Sequence, residues 1–134
     1  MVVPNRRLSA TTKRVLIVDD EESILAPLSR YFRRIGCEVV AAQEREEAEA
    51  LLEHQRFDLI LLDLALSGYG LEGLEILQSL RSGTRGTPVI VLSGLVTPDL
   101  EREALRRGAD AVLPKPQPLA DLARVCAHLL TSRP

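Results

Sequence analysis

The sequence predicts one α/β domain with a doubly wound parallel sheet, and three observations predict this fold class. Five short apolar segments alternate with amphipathic segments along the chain. The apolar segments are continuous and contain no alternating polar residues, which is typical of strands covered by helices on both faces of a parallel sheet. With 134 residues, of which 46% are hydrophobic, the chain is long enough to bury one sizeable core.

The first strand and helix follow a polar segment. Residues 1–13 are polar and basic without periodicity, so we expect a frayed N-terminal tail. Val15–Val18 predicts the first strand, and apolar residues at helical spacing predict a helix that Gly36 closes. These apolar residues are Ile24, Leu25, Leu28, Phe32 and Ile35. Pro27 is expected near the first turn of this helix, where its missing N–H costs little.

The same alternation continues to the end of the chain. Apolar runs predict four more strands, at Cys37–Ala42, Leu59–Leu62, Val89–Leu92 and Val112–Leu113. Periodic apolar positions predict helices over Glu44–His54, from about Gly73, from Pro98 to Gly108, and along a last stripe from Leu122 to Leu130. Thr97 is expected to cap the helix that starts with Pro98. The elements together predict one domain over residues 14–131, with a short end at 132–134.

Composition excludes several classes of protein. Lys and Arg number 17 and Asp and Glu 19, a net charge of −2, which argues against a general nucleic-acid-binding surface. The two cysteines are far apart in sequence and form neither a metal-ligand cluster nor a disulfide framework. No apolar run approaches the length of a membrane span, and no signal-peptide core is found near the N-terminus. We therefore expect a cytoplasmic domain without a membrane partner.

Polar side chains stand at the ends of four predicted strands. They are Asp19 and Asp20, Asp63, Ser93, and Lys115, which is one of only two lysines in the chain. The carboxyl ends of parallel strands meet at one edge of the sheet, where ligands bind in open α/β folds. The alternative is that each aspartate merely caps the helix that follows it.

The convergence of three carboxylates predicts a cation. At an effective dielectric constant of ~20, two charges ~4 Å apart repel by about 4 kcal/mol. Oxygen ligands without a nearby His or Cys favour Mg²⁺ over Zn²⁺. A metal, an ammonium and a hydroxyl together suit a phosphoryl group, with one carboxylate as the nucleophile.

Four motifs give the chain a resemblance to a known family. They are Val-Leu-Ile-Val-Asp-Asp-Glu (15–21), Asp-Leu-Ile-Leu-Leu-Asp (58–63), Pro-Val-Ile-Val-Leu-Ser-Gly (88–94) and Gly-Ala-Asp-Ala-Val-Leu-Pro-Lys-Pro (108–116). In order and spacing the chain resembles the receiver domain of two-component response regulators, the CheY-like superfamily, from about Arg14 to Thr131. The resemblance implies a flavodoxin-like three-layer sandwich with strand order 2-1-3-4-5 and five helices.

The resemblance also implies a phosphoacceptor site. Asp63 would be phosphorylated by a histidine kinase or a histidine phosphotransfer protein. Mg²⁺ would be held by Asp20 directly, by Asp19 through water, by the carbonyl of Ala65 and by Asp63 itself. Such a domain catalyses its own phosphorylation and dephosphorylation but turns over no separate substrate, so we do not expect an enzyme.

Two further residues and one surface follow from the same resemblance. Ser93 would hydrogen-bond a phosphate oxygen, and Lys115 would pair with the phosphoryl group, aimed by the bond to Pro116. Receivers often use the fourth helix for a homodimer or a downstream target, and this helix carries Arg102, Arg106 and Arg107. Because 134 residues leave no room for an output domain, we expect output through a binding face, a phosphorelay or a larger protein.

Three departures from the family pattern leave an alternative open. Val112 occupies the position of the family's aromatic switch residue, Ser67 stands where a proline is usual, and the loop before Gly73 is longer, with Glu72 where Asp or Asn is common. The alternative function is an interaction module that has kept the fold and lost the switch. The intact Asp63 and the strand-end residues around it favour phosphorylation.

Two enzyme functions are weaker alternatives. Residues 68–73 match the G-x-G-x-x-G fingerprint of dinucleotide-binding proteins, but they do not open directly at a strand end. A metal-dependent phosphatase would need a second acidic residue two positions after Asp63, where the chain has Ala65. We therefore favour a phosphoacceptor.

Overall fold

A computed structural model describes residues 12–19, 22–63, 70–84, 86–94, 96–115 and 118–131, without the side chains of 22–25 and 70–73. Most of the predicted tail (1–13) and the predicted end (132–134) therefore lie outside the described residues. The described strands are β1 (Arg14–Val18), β2 (Glu38–Ala42), β3 (Leu59–Asp63), β4 (Val89–Ser93) and β5 (Ala111–Pro114). The described helices are α1 (Glu22–Arg34), α2 (Arg45–His54), α3 (Gly70–Ser82), α4 (Pro98–Arg106) and α5 (Leu119–Thr131).

The five strands form one parallel sheet in the order β2-β1-β3-β4-β5, as predicted. The register aligns the carboxyl ends of the central strands: Val18 pairs with Leu62, and Asp63 pairs with Leu92. At the edge of the sheet, Ser93 pairs with Pro114. The residues that end or follow these strands therefore lie side by side at one edge of the sheet.

The core has two layers, one on each face of the sheet. One layer packs α1 and α5 against the sheet and includes Leu28, Phe32, Leu122 and Cys126. The other packs α2, α3 and α4 and includes Ala48, Leu74, Leu77, Leu80 and Ala104. Every residue of β3 and β4 is buried, which explains why these segments lack a polar alternation. Among the described helices, none has the length and apolarity needed to cross a membrane.

The first helix differs from its prediction at both ends. It starts at Glu22, so Pro27 lies inside the helix and not in its first turn. The helix ends at Arg34, and Ile35 is exposed instead of joining the apolar stripe. Gly36 has φ 97° and so closes the helix, as predicted, by turning the chain away from the helical path directly after Ile35.

Two other helix boundaries also differ. Helix α3 starts at Gly70 and not near Gly73, so Gly73 lies inside the helix in spite of the low helix propensity of glycine. Helix α4 ends at Arg106 and not at Gly108, whose φ of 116° places it beyond the helix in the left-handed region. Both errors come from glycines at helix ends, where the sequence pattern fixes boundaries least well.

The two cysteines pack in or against the core. Cys126 is buried in α5, and Cys37 is half-buried against the same layer. Burial raises the pKa of the Cys126 thiol to about 12, and burial also raises the pKa of the Cys37 thiol. Because the thiolate is the reactive form, neither cysteine is placed as a nucleophile.

The start of α4 supports a prediction about stability. The hydroxyl oxygen of Thr97 accepts a hydrogen bond of 3.1 Å from the backbone N–H of Leu100, as an N-cap does. We expect Thr97→Ala to lower the free energy of unfolding by about 1 kcal/mol, measured by urea denaturation. Thr97→Ser keeps the hydroxyl and should lose less. Equal losses in the two variants would contradict a capping role.

Candidate functional site

Two aspartates lie buried at the carboxyl edge of the central strands. Asp63 is the last residue of β3, and Asp19 directly follows β1, the neighbouring strand. Each is 1% exposed. The backbone N–H of Asp19 donates 3.0 Å to the carbonyl of Ala42 and so extends the β1–β2 pairing by one residue. Two carboxylates thus sit next to each other on adjacent strands, shielded from solvent.

Lys115 reaches this pair from two strands away. Its Nζ lies 2.8 Å from Oδ2 of Asp63, and its side chain is only 14% exposed. The backbone N–H of Lys115 donates 2.7 Å to the carbonyl of Ser93, the last residue of β4. This backbone bond extends the β4–β5 pairing and places the lysine at the same edge of the sheet. Spacing along the sequence does not predict the backbone bond between Lys115 and Ser93, because that bond depends on the register of β5 against β4.

Ser93 is the third predicted group at this edge. It is buried and ends β4, which lies between the strand of Asp63 and the strand of Lys115. The structure therefore brings Asp19, Asp63, Ser93 and Lys115 to one edge, as predicted. The other two predicted site residues, Asp20 and Ala65, lie outside the described residues, as does Pro116.

The chemistry of the described donors suits a hard cation. Two carboxylates and one ammonium leave an excess negative charge in a buried place, where charge repulsion is poorly screened. Carboxylate oxygens without nitrogen or sulfur donors are the ligands of Mg²⁺ or Ca²⁺. Within the described residues no group of three or more His, Cys, Asp or Glu side chains could hold a metal, and the predicted ligands Asp20 and Ala65 lie outside these residues.

Val112 lies in the middle of β5, three residues before Lys115. It is 9% exposed and belongs to the core layer of α2, α3 and α4. Its partner on β4 is Val91. The side chain of Val112 is aliphatic, so it has no polar group that could form or break a hydrogen bond when the charge at Asp63 changes.

Comparison with known proteins identifies the family. The family model described as Response regulator receiver domain matches residues 15–127. The chain belongs to this family. Among curated proteins, the transcriptional activator protein PfeR of Pseudomonas aeruginosa is 36% identical over 120 residues, which make up 90% of this chain and 38% of PfeR. The receiver thus spans well under half of that relative.

Solved receivers share the fold. A CheY-like response regulator receiver domain protein from Methanospirillum hungatei has a TM-score of 0.83 and 31% identity, covering 90% of this chain and 95% of its own. A response regulator protein from Burkholderia pseudomallei, solved with a phosphorylated aspartic acid, a calcium ion and citrate, has a TM-score of 0.74 and 27% identity. The alignment covers 91% of this chain and 75% of the Burkholderia chain. This chain is a receiver domain of two-component response regulators, which disfavours the dinucleotide-binding and phosphatase alternatives.

Proposed function

We propose that Asp63 accepts a phosphoryl group from a phosphohistidine donor in a Mg²⁺-dependent reaction, and that the added charge switches a protein-interaction face. The observation that carries this proposal is the 2.8 Å contact of Lys115 Nζ with a carboxylate that is 1% exposed. An ion pair this buried is costly to desolvate and is weak evidence for stability. The position of Lys115 is instead well suited to hold the carboxylate of Asp63 in place before the reaction and to pair with a phosphoryl group after it.

The proposed transfer is a displacement at phosphorus. An oxygen of Asp63 forms the new bond to phosphorus, the P–N bond of the donor breaks, and its electron pair stays on the histidine ring. Lys115 orients the carboxylate before transfer and pairs with a phosphoryl oxygen afterwards, as a compact ammonium can. The hydroxyl of Ser93 donates a hydrogen bond to another phosphoryl oxygen. These groups sit in a shielded place, where their electrostatic effect is larger than in water.

A metal fits the remaining charge of the site. Receiver domains generally bind Mg²⁺, and here Asp19, Asp20, Asp63 and the carbonyl of Ala65 are the residues that would hold it. Bound there, Mg²⁺ would neutralise phosphoryl oxygens during the transfer. Asp19 and Asp63, both buried and adjacent, are the described part of this set.

The proposed domain spans residues 14–131 and is a phosphoacceptor rather than an enzyme, because it turns over no separate substrate. Its partners are a histidine kinase or a histidine phosphotransfer protein on one side, and a downstream protein target or an output domain on the other. The face with α4, through which a homodimer could also form, presents Arg102 and Arg106 to solvent. PfeR is a transcriptional activator, which supports an output role in the longer relatives.

One observation favours a second candidate. Val112 is buried where the family pattern has an aromatic ring, and in the second candidate this replacement leaves phosphorylation without a route to the α4 face. The second candidate is a receiver-like interaction module without a working switch. It predicts that the amide spectrum changes only around Asp63 on phosphorylation, whereas a working switch also shifts amides in α4.

The experiment uses the whole chain with acetyl phosphate and Mg²⁺, followed by intact-mass analysis. We expect an addition of about 80 Da that depends on the metal and is prevented by EDTA. Reduction of the acyl phosphate with borohydride, followed by peptide mapping, should place the label on Asp63. No added mass, or a label on another residue, would overturn the proposal and favour the interaction module.

A further inference from the structure

At the far end of β5, opposite the proposed phosphoacceptor site, four residues form a connected polar cluster. The guanidinium of Arg81, near the end of α3, donates to the carbonyls of Thr87 (2.7 Å) and Gly108 (2.5 Å) and to Oδ2 of Asp110 (3.2 Å). We call Arg81, Gly108 and Asp110 the β5 anchor. Gly108 and Asp110 belong to the motif at 108–116, but the phosphoacceptor mechanism assigns no role to either.

Asp110 fixes where β5 begins to pair. Its backbone N–H donates 2.8 Å to the carbonyl of Val89, the first residue of β4. Its side-chain Oδ2 accepts 2.8 Å from the backbone N–H of the same Val89. Because Asp110 makes two hydrogen bonds to Val89, β5 has little freedom to shift along β4. Asp110 therefore sets the register of β5 against β4.

Arg81 holds Asp110 in that position. A guanidinium is planar, stays charged and presents several hydrogen-bond donors in fixed directions. The guanidinium of Arg81 can therefore bind the connection before β4, at Thr87, and the connection before β5, at Gly108, at the same time. Gly108 is required for this approach: a Cβ on Gly108 would lie 2.8 Å from Nε of Arg81, and its φ is 116°. The side chains of Arg81 and Asp110 are 24% and 26% exposed, so their pairing is partly shielded from solvent.

Lys115 directly follows the other end of the same strand. β5 has four residues, Ala111–Pro114, and it is an edge strand, paired only with β4 in the described sheet. A shift of register by one residue would turn each side chain to the opposite face. The contact of Lys115 Nζ with Asp63 therefore depends on the register that the β5 anchor sets.

We infer that Arg81 is a positioning residue for the phosphoacceptor site, acting through the register of β5 on Lys115. This inference rests on the proposed function. It assigns a role to a side chain at the opposite end of the sheet from Asp63. It also explains why an arginine, a glycine and an aspartate occur together there.

The first test measures the register directly by amide hydrogen exchange in the whole chain. In Arg81→Gln the amide of Lys115, bonded to Ser93, should exchange about tenfold faster. The amide of Glu38, bonded to the carbonyl of Lys13 at the start of the β1–β2 pairing and not to any residue that Arg81 contacts, should be unchanged. Asp110→Asn, which keeps an acceptor for Val89, should give a smaller effect in the same direction. Equal acceleration of both amides, or of neither, would overturn the inference.

The second test measures phosphorylation from acetyl phosphate. Arg81→Gln should lower the rate about fivefold in the wild-type background and should have no further effect in the Lys115→Met background, because residues that act as one unit are not additive. The matched control is Arg124→Gln, which removes an exposed arginine that pairs with Asp121 on α5 and should leave the rate unchanged. An additive loss in the double variant would show general destabilisation and would contradict positioning.

The two tests separate this inference from the proposed function. If the wild-type chain gains no phosphoryl group, the proposed function fails, and the exchange of the Lys115 amide still decides whether Arg81 sets the register. If the wild-type chain is phosphorylated and Arg81→Gln loosens Lys115 without slowing the reaction, the proposed function stands and the inference fails.

Discussion

Asp63→Asn is expected to abolish phosphorylation by acetyl phosphate, with the rate falling at least about a thousandfold. Asparagine matches the shape of aspartate and fits the same buried place at the end of β3. Its neutral amide oxygen is a far weaker nucleophile than a carboxylate oxygen, and it offers less charge to a metal. Intact-mass analysis after incubation with the phosphodonor and Mg²⁺ measures the loss, since the added mass of about 80 Da should be missing.

The matched control is Asp99→Asn. Asp99 is an exposed aspartate in the first turn of α4, where it pairs with Arg102. This variant should be phosphorylated at the wild-type rate. Both variants should unfold cooperatively in urea, which shows that a missing label does not come from a lost fold. A label of equal mass on Asp63→Asn would contradict the assignment of Asp63 as the acceptor.

Much of the fold could be predicted because its signals are local. Continuous apolar runs such as Leu59–Leu62 predict strands that are buried on both faces. The polar residue that ends each run marks the carboxyl edge of the sheet. Helix ends were harder to predict. Gly70 and Gly108 are both near helix boundaries, but one is inside a helix and the other beyond it. Gly108 has a φ of 116°, which places it beyond the helix, and spacing along the sequence does not report the backbone angles of a glycine.

The candidate site was predictable for a different reason. Asp19, Asp63, Ser93 and Lys115 each follow a strand or end one, so the parallel topology alone brings them together. What spacing could not predict is how they are held. The bond of Lys115 to the carbonyl of Ser93 depends on the register of β5, and so does the distance from Lys115 to Asp63. Register arises from long-range contacts such as those of Arg81 with Asp110, which are distant in sequence.

Lys115→Met is expected to destabilise the folded domain by roughly 3 kcal/mol at neutral pH. Methionine keeps a similar length and removes the ammonium that lies 2.8 Å from Oδ2 of Asp63. Because Asp19 and Asp63 are each 1% exposed, their negative charge would then lack this nearby compensation in a place where water cannot screen it. Urea denaturation followed by far-UV circular dichroism measures the free energy of unfolding.

Lys13→Met is the matched control, because it replaces the other lysine of the chain, which precedes β1 at the opposite edge of the sheet. It should change the free energy of unfolding by less than about 0.5 kcal/mol.

Mg²⁺ should stabilise Lys115→Met more than it stabilises the wild-type chain. A ligand that binds the folded state adds to its stability, and the site of the variant carries more negative charge. In Asp63→Asn the loss caused by Lys115→Met should become smaller, because the carboxylate that the ammonium contacts directly has lost its charge. A loss of the same size in both backgrounds would mean that Lys115 stabilises the domain through its alkyl chain, and that its ammonium is not what balances the buried carboxylates.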